Sequence, residues 1–64
     1  MKHNRYIVRA GAHTVLNAKI RLDNAIACYM GAFEQASDCL VTLSMLDLTS
    51  GQERYLLTAS APRR

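Results

Sequence analysis

The chain has 64 residues and a formal net charge of +3. A chain this short supports one hydrophobic core and buries only about 60% of the surface its unfolded form exposes, which excludes a second domain of any size. No apolar run approaches the length that crosses a bilayer, and no apolar stretch of signal-peptide length follows the basic start Met1-Lys2-His3-Asn4-Arg5. The expectation is therefore a soluble, cytoplasmic protein with no membrane partner.

The charge is distributed in blocks. Residues 1–22 carry Lys2, Arg5, Arg9, Lys19 and Arg21 and no acid; residues 23–53 carry Asp23, Glu34, Asp38, Asp47 and Glu53 and no base; Arg54, Arg63 and Arg64 follow. Such asymmetry bears on partners and association rates rather than on fold.

In chain order, Arg5–Ala10 reads as a first strand, because Tyr6, Ile7 and Val8 are strand formers and Gly11 follows as a turn residue. Residues 14–22 admit two readings. As a strand, Leu16, Ala18, Ile20 and Leu22 face one way and Asn17, Lys19 and Arg21 the other; as part of a longer helix, Val15, Leu22, Ile26, Tyr29 and Phe33 make one stripe but leave Leu16 and Ile20 off it. The strand accounts for more residues and is favoured. Asp23 is expected to be the N-cap of a helix, its charge suiting the positive end of the dipole. Ala25, Ile26, Tyr29, Met30, Phe33 and Ala36 form that helix's apolar face, and Ser37-Asp38 ends the pattern. Leu40–Leu48 and Arg54–Ser60 are two further strands, joined by a turn in which Gly51 supplies a positive φ.

The predicted fold is α+β, in the order β-β-α-β-β: a four-stranded antiparallel sheet with one helix packed on one face. The alternative is β-α-β-β with a longer helix. Tyr6, Val8, Val41, Leu43, Met45, Tyr55, Leu57 and Ala59 are expected to face the helix, with the other sheet face open. Residues 1–60 form the domain and residues 61–64 a flexible basic tail.

Little points to catalysis. His3 and His13 fall in a terminus and a turn, and read as solvated side chains. Cys28 and Cys39, ten residues apart, fit no redox or zinc spacing and have no basic neighbours to activate them, so they are expected to be reduced and structural. The acids show no paired spacing for metal or acid–base work, and Gly11, Gly31 and Gly51 are isolated rather than part of a phosphate loop. The expectation is no enzyme, no metal and no cofactor.

Two surface sets stand out instead. Arg5, Arg9, Lys19 and Arg21 alternate out of the core on the first two strands, and on paired strands they share the open face with Ile7. They are the candidate partner-binding residues. Nucleic-acid readers of that kind also expose stacking aromatics, whereas Tyr6, Tyr29, Phe33 and Tyr55 all fall on predicted core faces. Leu40, Leu46, Leu48 and Leu56 lie on the outward side of the last hairpin, a candidate interface for a homodimer or a partner.

The succession of Met1-Lys2, Tyr6-Ile7-Val8, the Leu22-Asp23-x-Ala25 helix opening and the Asp47–Gly51 turn resembles small phage-encoded inhibitor proteins over residues 2–60. Two groups share this look: anti-CRISPR proteins that block type I surveillance complexes, and phage proteins that inhibit host RNA polymerase. The resemblance implies a non-enzymatic protein that competes for a nucleic-acid channel or a polymerase surface. Its partner is then a host protein or protein–nucleic-acid complex; a sequence-independent nucleic-acid-binding module and a small structural homo-oligomer are the other readings.

Overall fold

The computed structural model describes residues 4–64; Met1, Lys2 and His3, hence the basic start and one of the two histidines, lie outside the described residues. The elements are β1 (Asn4–Ala10), β2 (His13–Ile20), α1 (Leu22–Gln35), β3 (Leu40–Leu46) and β4 (Glu53–Ser60). All strand pairs are antiparallel, in one open sheet of order β2-β1-β3-β4. The fold is α+β with the order β-β-α-β-β, and the longer helix is excluded because residues 13–20 pair with β1.

Local chemistry explains the turns. Gly11 takes φ 62°, a left-handed conformation that costs glycine nothing, and its amide donates to the Leu40 carbonyl at 2.7 Å. In the β3–β4 turn Gly51 takes φ 75°, while the Asp47 carboxylate accepts from the amides of Thr49 (2.9 Å) and Ser50 (3.4 Å). Those bonds hold the Asp47 carboxyl below the usual aspartate range, the Thr49 amide contributing most. His13, expected in a turn, opens β2 opposite Ala10.

The core lies between α1 and the inner strands. Val8, Val41 and Leu43 are fully buried with Tyr6, Ala25 and Tyr29, and Leu16, Ile20, Phe33, Met45 and Ala59 pack half-buried around them. Each fully buried aliphatic side chain contributes about 1.5–3 kcal/mol of transfer free energy. Cys28 and Cys39 are free thiols packed against the same cluster.

Several expectations are corrected. The helix starts at Leu22, so its N-cap is Arg21 and not Asp23; the first helical bond runs from the Ala25 amide to the Arg21 carbonyl at 3.1 Å. Asp23 sits in the first turn, where its carboxylate accepts from the amide of the adjacent Asn24 and from no amide two or three residues on, as a cap would, so it acts through its charge at the dipole. Leu22, expected on the inner face of β2, opens α1 half-exposed, and Met30 is 58% exposed because its side of the helix points past the sheet's covered strands.

Two bulges cause the remaining displacements, since an extra residue in a strand shifts the face of everything beyond it. Val15 is left unpaired on β2 between Leu16, opposite Val8, and Thr14, opposite Arg9. Leu56 is left unpaired on β4 between Leu57, opposite Leu43, and Tyr55, opposite Ser44. Tyr55, expected to face the helix, is thereby turned to the open face and is 60% exposed. Leu57 keeps the helix side but is 40% exposed, because α1 packs on β1, β3 and part of β2 and leaves most of β4 uncovered.

Residues 61–64, expected to fray, are docked. Ala61 is buried and its amide donates to the Cys39 carbonyl at 2.8 Å, while the Pro62 carbonyl accepts from the Asp38 amide at 3.1 Å. The Arg64 guanidinium donates to the carbonyls of Ala36 (2.7 Å) and Phe33 (3.2 Å), filling acceptors that the end of α1 leaves without helical partners.

Candidate binding surface

The open face is built in rows that run across the sheet. From β2 to β4 they are Lys19–Arg5–Leu46–Glu53, then Asn17–Ile7–Ser44–Tyr55, then Thr14–Arg9–Thr42–Thr58. Strand alternation places these residues outward, and the two bulges preserve the phase across all four strands. At the centre Ile7 and Ser44 are nonetheless buried, covered by the longer side chains of neighbouring rows.

The cover is an ion pair that crosses a strand. Arg9 on β1 reaches over β3 to Glu53 on β4, Nη1 donating to Oε2 and Nη2 to Oε1 (3.2 Å), a bidentate geometry that fixes both side chains. Beneath it the Ser44 hydroxyl donates to Glu53 Oε2 at 2.7 Å. The Arg9 guanidinium, with help from Ser44, holds the Glu53 carboxyl below the usual glutamate range against the opposing effect of desolvation. The same hydrogen bonding raises the pKa of Arg9.

The four basic candidates therefore differ in state. Arg9 is neutralised by Glu53. Arg21 lies past the end of β2, at the N-cap of α1, in an exposed pair with Asp23 at 3.3 Å, which contributes little in solvent. Arg5 and Lys19 stand directly opposite each other on β1 and β2. Arg5 donates to the side-chain amide oxygen Oδ1 of Asn17 at 2.9 Å, and Lys19 has no hydrogen-bond or ion-pair partner among the described residues. Like charges in that register destabilise the sheet.

The leucines also separate. Leu46 and Leu48 line a groove with Arg5, Lys19 and Thr49, and Leu48 is 60% exposed. Leu40 is at the opposite end of β3, opposite Ser60, and Leu56 is the bulge residue of β4. The structure thus brings together Arg5, Lys19, Leu46 and Leu48, and leaves Arg9, Arg21, Leu40 and Leu56 elsewhere. Asp47 lines the same groove, but its carboxylate is engaged by the turn amides.

Two members of the surface were missed from sequence. Glu53 meets Arg9 across forty-four positions of chain, with no local pattern to announce the contact. Tyr55 was misplaced because a bulge leaves no periodic signature in an apolar run such as Tyr55-Leu56-Leu57. Among the described residues no three His, Cys, Asp or Glu side chains converge as a metal ion requires, and no helix is long and apolar enough to cross a membrane. Comparison with protein-family models, with characterised proteins and with solved structures finds no match.

Proposed function

We propose that this chain is a non-enzymatic binding protein that docks an acidic, partly apolar surface of a cytoplasmic partner into the groove between Arg5, Lys19, Leu46 and Leu48. The observation that carries the reading is the opposed pair Arg5 and Lys19: two cations in cross-strand register, flanked by exposed leucine, with no acid among the described residues paired to either. An arrangement that costs the sheet stability is offset when a partner supplies the missing negative charge, and surface charge of this kind governs encounter and register. The partner class is the one implied by the resemblance to phage inhibitors, a bacterial surveillance complex or RNA polymerase. The test is capture on the immobilised chain of a purified complex of each kind, compared with capture by the Arg5→Glu/Lys19→Glu variant. The parent should retain one of them and the variant neither, with unchanged thermal unfolding; equal capture by both proteins overturns the groove as the contact.

A second reading rests on Tyr55, an exposed aromatic on the same sheet face as Arg5 and Lys19, the combination that single-stranded nucleic-acid readers use. Titration with a single-stranded oligonucleotide separates the two, since affinity for a phosphate backbone falls steeply with salt through counterion release.

A further inference from the structure

The edge strand β4 and the groove beside it form a second apolar surface, lined by other residues than the Arg5 and Lys19 groove. Tyr55, Leu56, Leu57 and Thr58 are all exposed, and no charged residue stands between Arg54 and Arg63 to guard the unpaired strand edge. The opposite edge, β2, carries Lys19. Bare apolar edges are templates for strand addition. On the helix side, Tyr29, Met30, Phe33 and Glu34 of α1 and Ala59 of β4 line a shallow apolar groove beside this edge.

The register of β4 identifies what fits. Because Tyr55 and Leu56 together occupy one position opposite Ser44, the faces alternate symmetrically about Leu57. Arg54 lies two positions before it and Ala59 two positions after it, both on the helix side; Tyr55 with Leu56 and Thr58 lie one position away, on the open side. Directly opposed residues of an antiparallel pair share a face. An antiparallel pairing of β4 with its own copy, centred on Leu57, therefore matches every position face for face. It sets Leu57 against the second Leu57 on the twofold axis and Arg54 against the second copy's Ala59. Glu34, which borders the groove at Ala59, has no ion-pair partner among the described residues, and neither has Arg54. The pairing brings Arg54 of each copy to Glu34 of the other, twice by symmetry.

We infer that β4 is a homodimer seam, through which two copies of the chain join their sheets antiparallel about Leu57 and cover the groove at Met30 and Phe33. An isologous contact of this kind closes on itself and leaves both Arg5 and Lys19 grooves at the far ends of the joined sheet. Sedimentation equilibrium of the full chain tests it, with circular dichroism to verify folding. The parent should sediment as a dimer. Arg54→Glu, which faces Glu34 with a like charge, should weaken the dimer by about tenfold or more, and the charge swap Arg54→Glu/Glu34→Arg should restore it. Leu57→Arg should give a folded monomer. A parent that stays monomeric up to about 1 mM, the weak limit of specific association, overturns the inference; so does a dimer that Leu57→Arg leaves intact, or one that the charge swap fails to rescue.

Discussion

Leu43 and Leu57 are the same residue type, opposite each other on neighbouring strands and on the same face of the sheet, yet Leu43 is fully buried and Leu57 is 40% exposed. The difference is the footprint of one helix. A helix with its side chains is about 10–12 Å across, and strands are spaced about 4.8 Å apart, so α1 can cover two strands fully and a third in part. It lies on β1 and β3, reaches part of β2, and leaves β4 as a ledge. In a sheet this wide with a single helix, apolar residues on the uncovered strand become surface, which is where an interface can form without dismantling the core.

The largest expected effect tests that contrast directly. Leu43→Ala should cost about 2–5 kcal/mol, the range for truncating a buried leucine, which rivals the whole stability of a small domain. Leu57→Ala, measured by the same thermal unfolding at concentrations dilute enough to keep parent and variant monomeric, should cost much less, since part of the Leu57 surface of a single copy is already in water. Equal costs would mean that β4 is covered as completely as β3. Phe33→Ala should fall between them, because Phe33 is half-buried at the rim of the core.

A smaller effect is expected on the open face. Glu53→Gln should lose about 1–3 kcal/mol, as Arg9 gives up a charge-assisted partner and buried Ser44 a carboxylate acceptor. The pH dependence carries the signature. Glu53 has a lower pKa in the folded chain than in the unfolded one, so the unfolded state takes up its proton first as pH falls. The stabilisation is present above the ordinary glutamate value of about 4.3 and is lost as pH drops through that value toward the lower folded one. The acid limb of a denaturation curve should therefore flatten in Glu53→Gln; an unchanged limb would locate acid sensitivity elsewhere, Asp47 being next in line.

The smallest effect concerns the end of the helix. Arg64→Ala removes the donors to the Ala36 and Phe33 carbonyls and should lower stability by about 0.3–1 kcal/mol, more at low salt than at high. Hydrogen exchange in the last turn of α1 should rise with it. No change in either would make the docking of residues 61–64 energetically neutral.

What the sequence determined is whatever local physics sets. The alternation of Leu16, Ala18 and Ile20 against Asn17 and Lys19, the strand formers Tyr6-Ile7-Val8, the positive φ at Gly11 and Gly51, and the apolar face around Ala25 and Tyr29 specified the order β-β-α-β-β. They also placed Arg5, Arg9 and Lys19 outward. What only the tertiary structure decided depends on groups distant in the chain. Two bulges reset the phase of β2 and β4, moving Tyr55 from core to surface, because a single extra residue flips every side chain beyond it and costs too little to leave a compositional mark. Glu53 found Arg9 across β3, and that contact alone separates a neutralised arginine from the uncompensated pair at Arg5 and Lys19. The width of α1 against four strands, rather than any residue of β4, left Leu57 exposed. Docking of Arg64 followed from carbonyls that exist as acceptors only once the helix has formed and stopped.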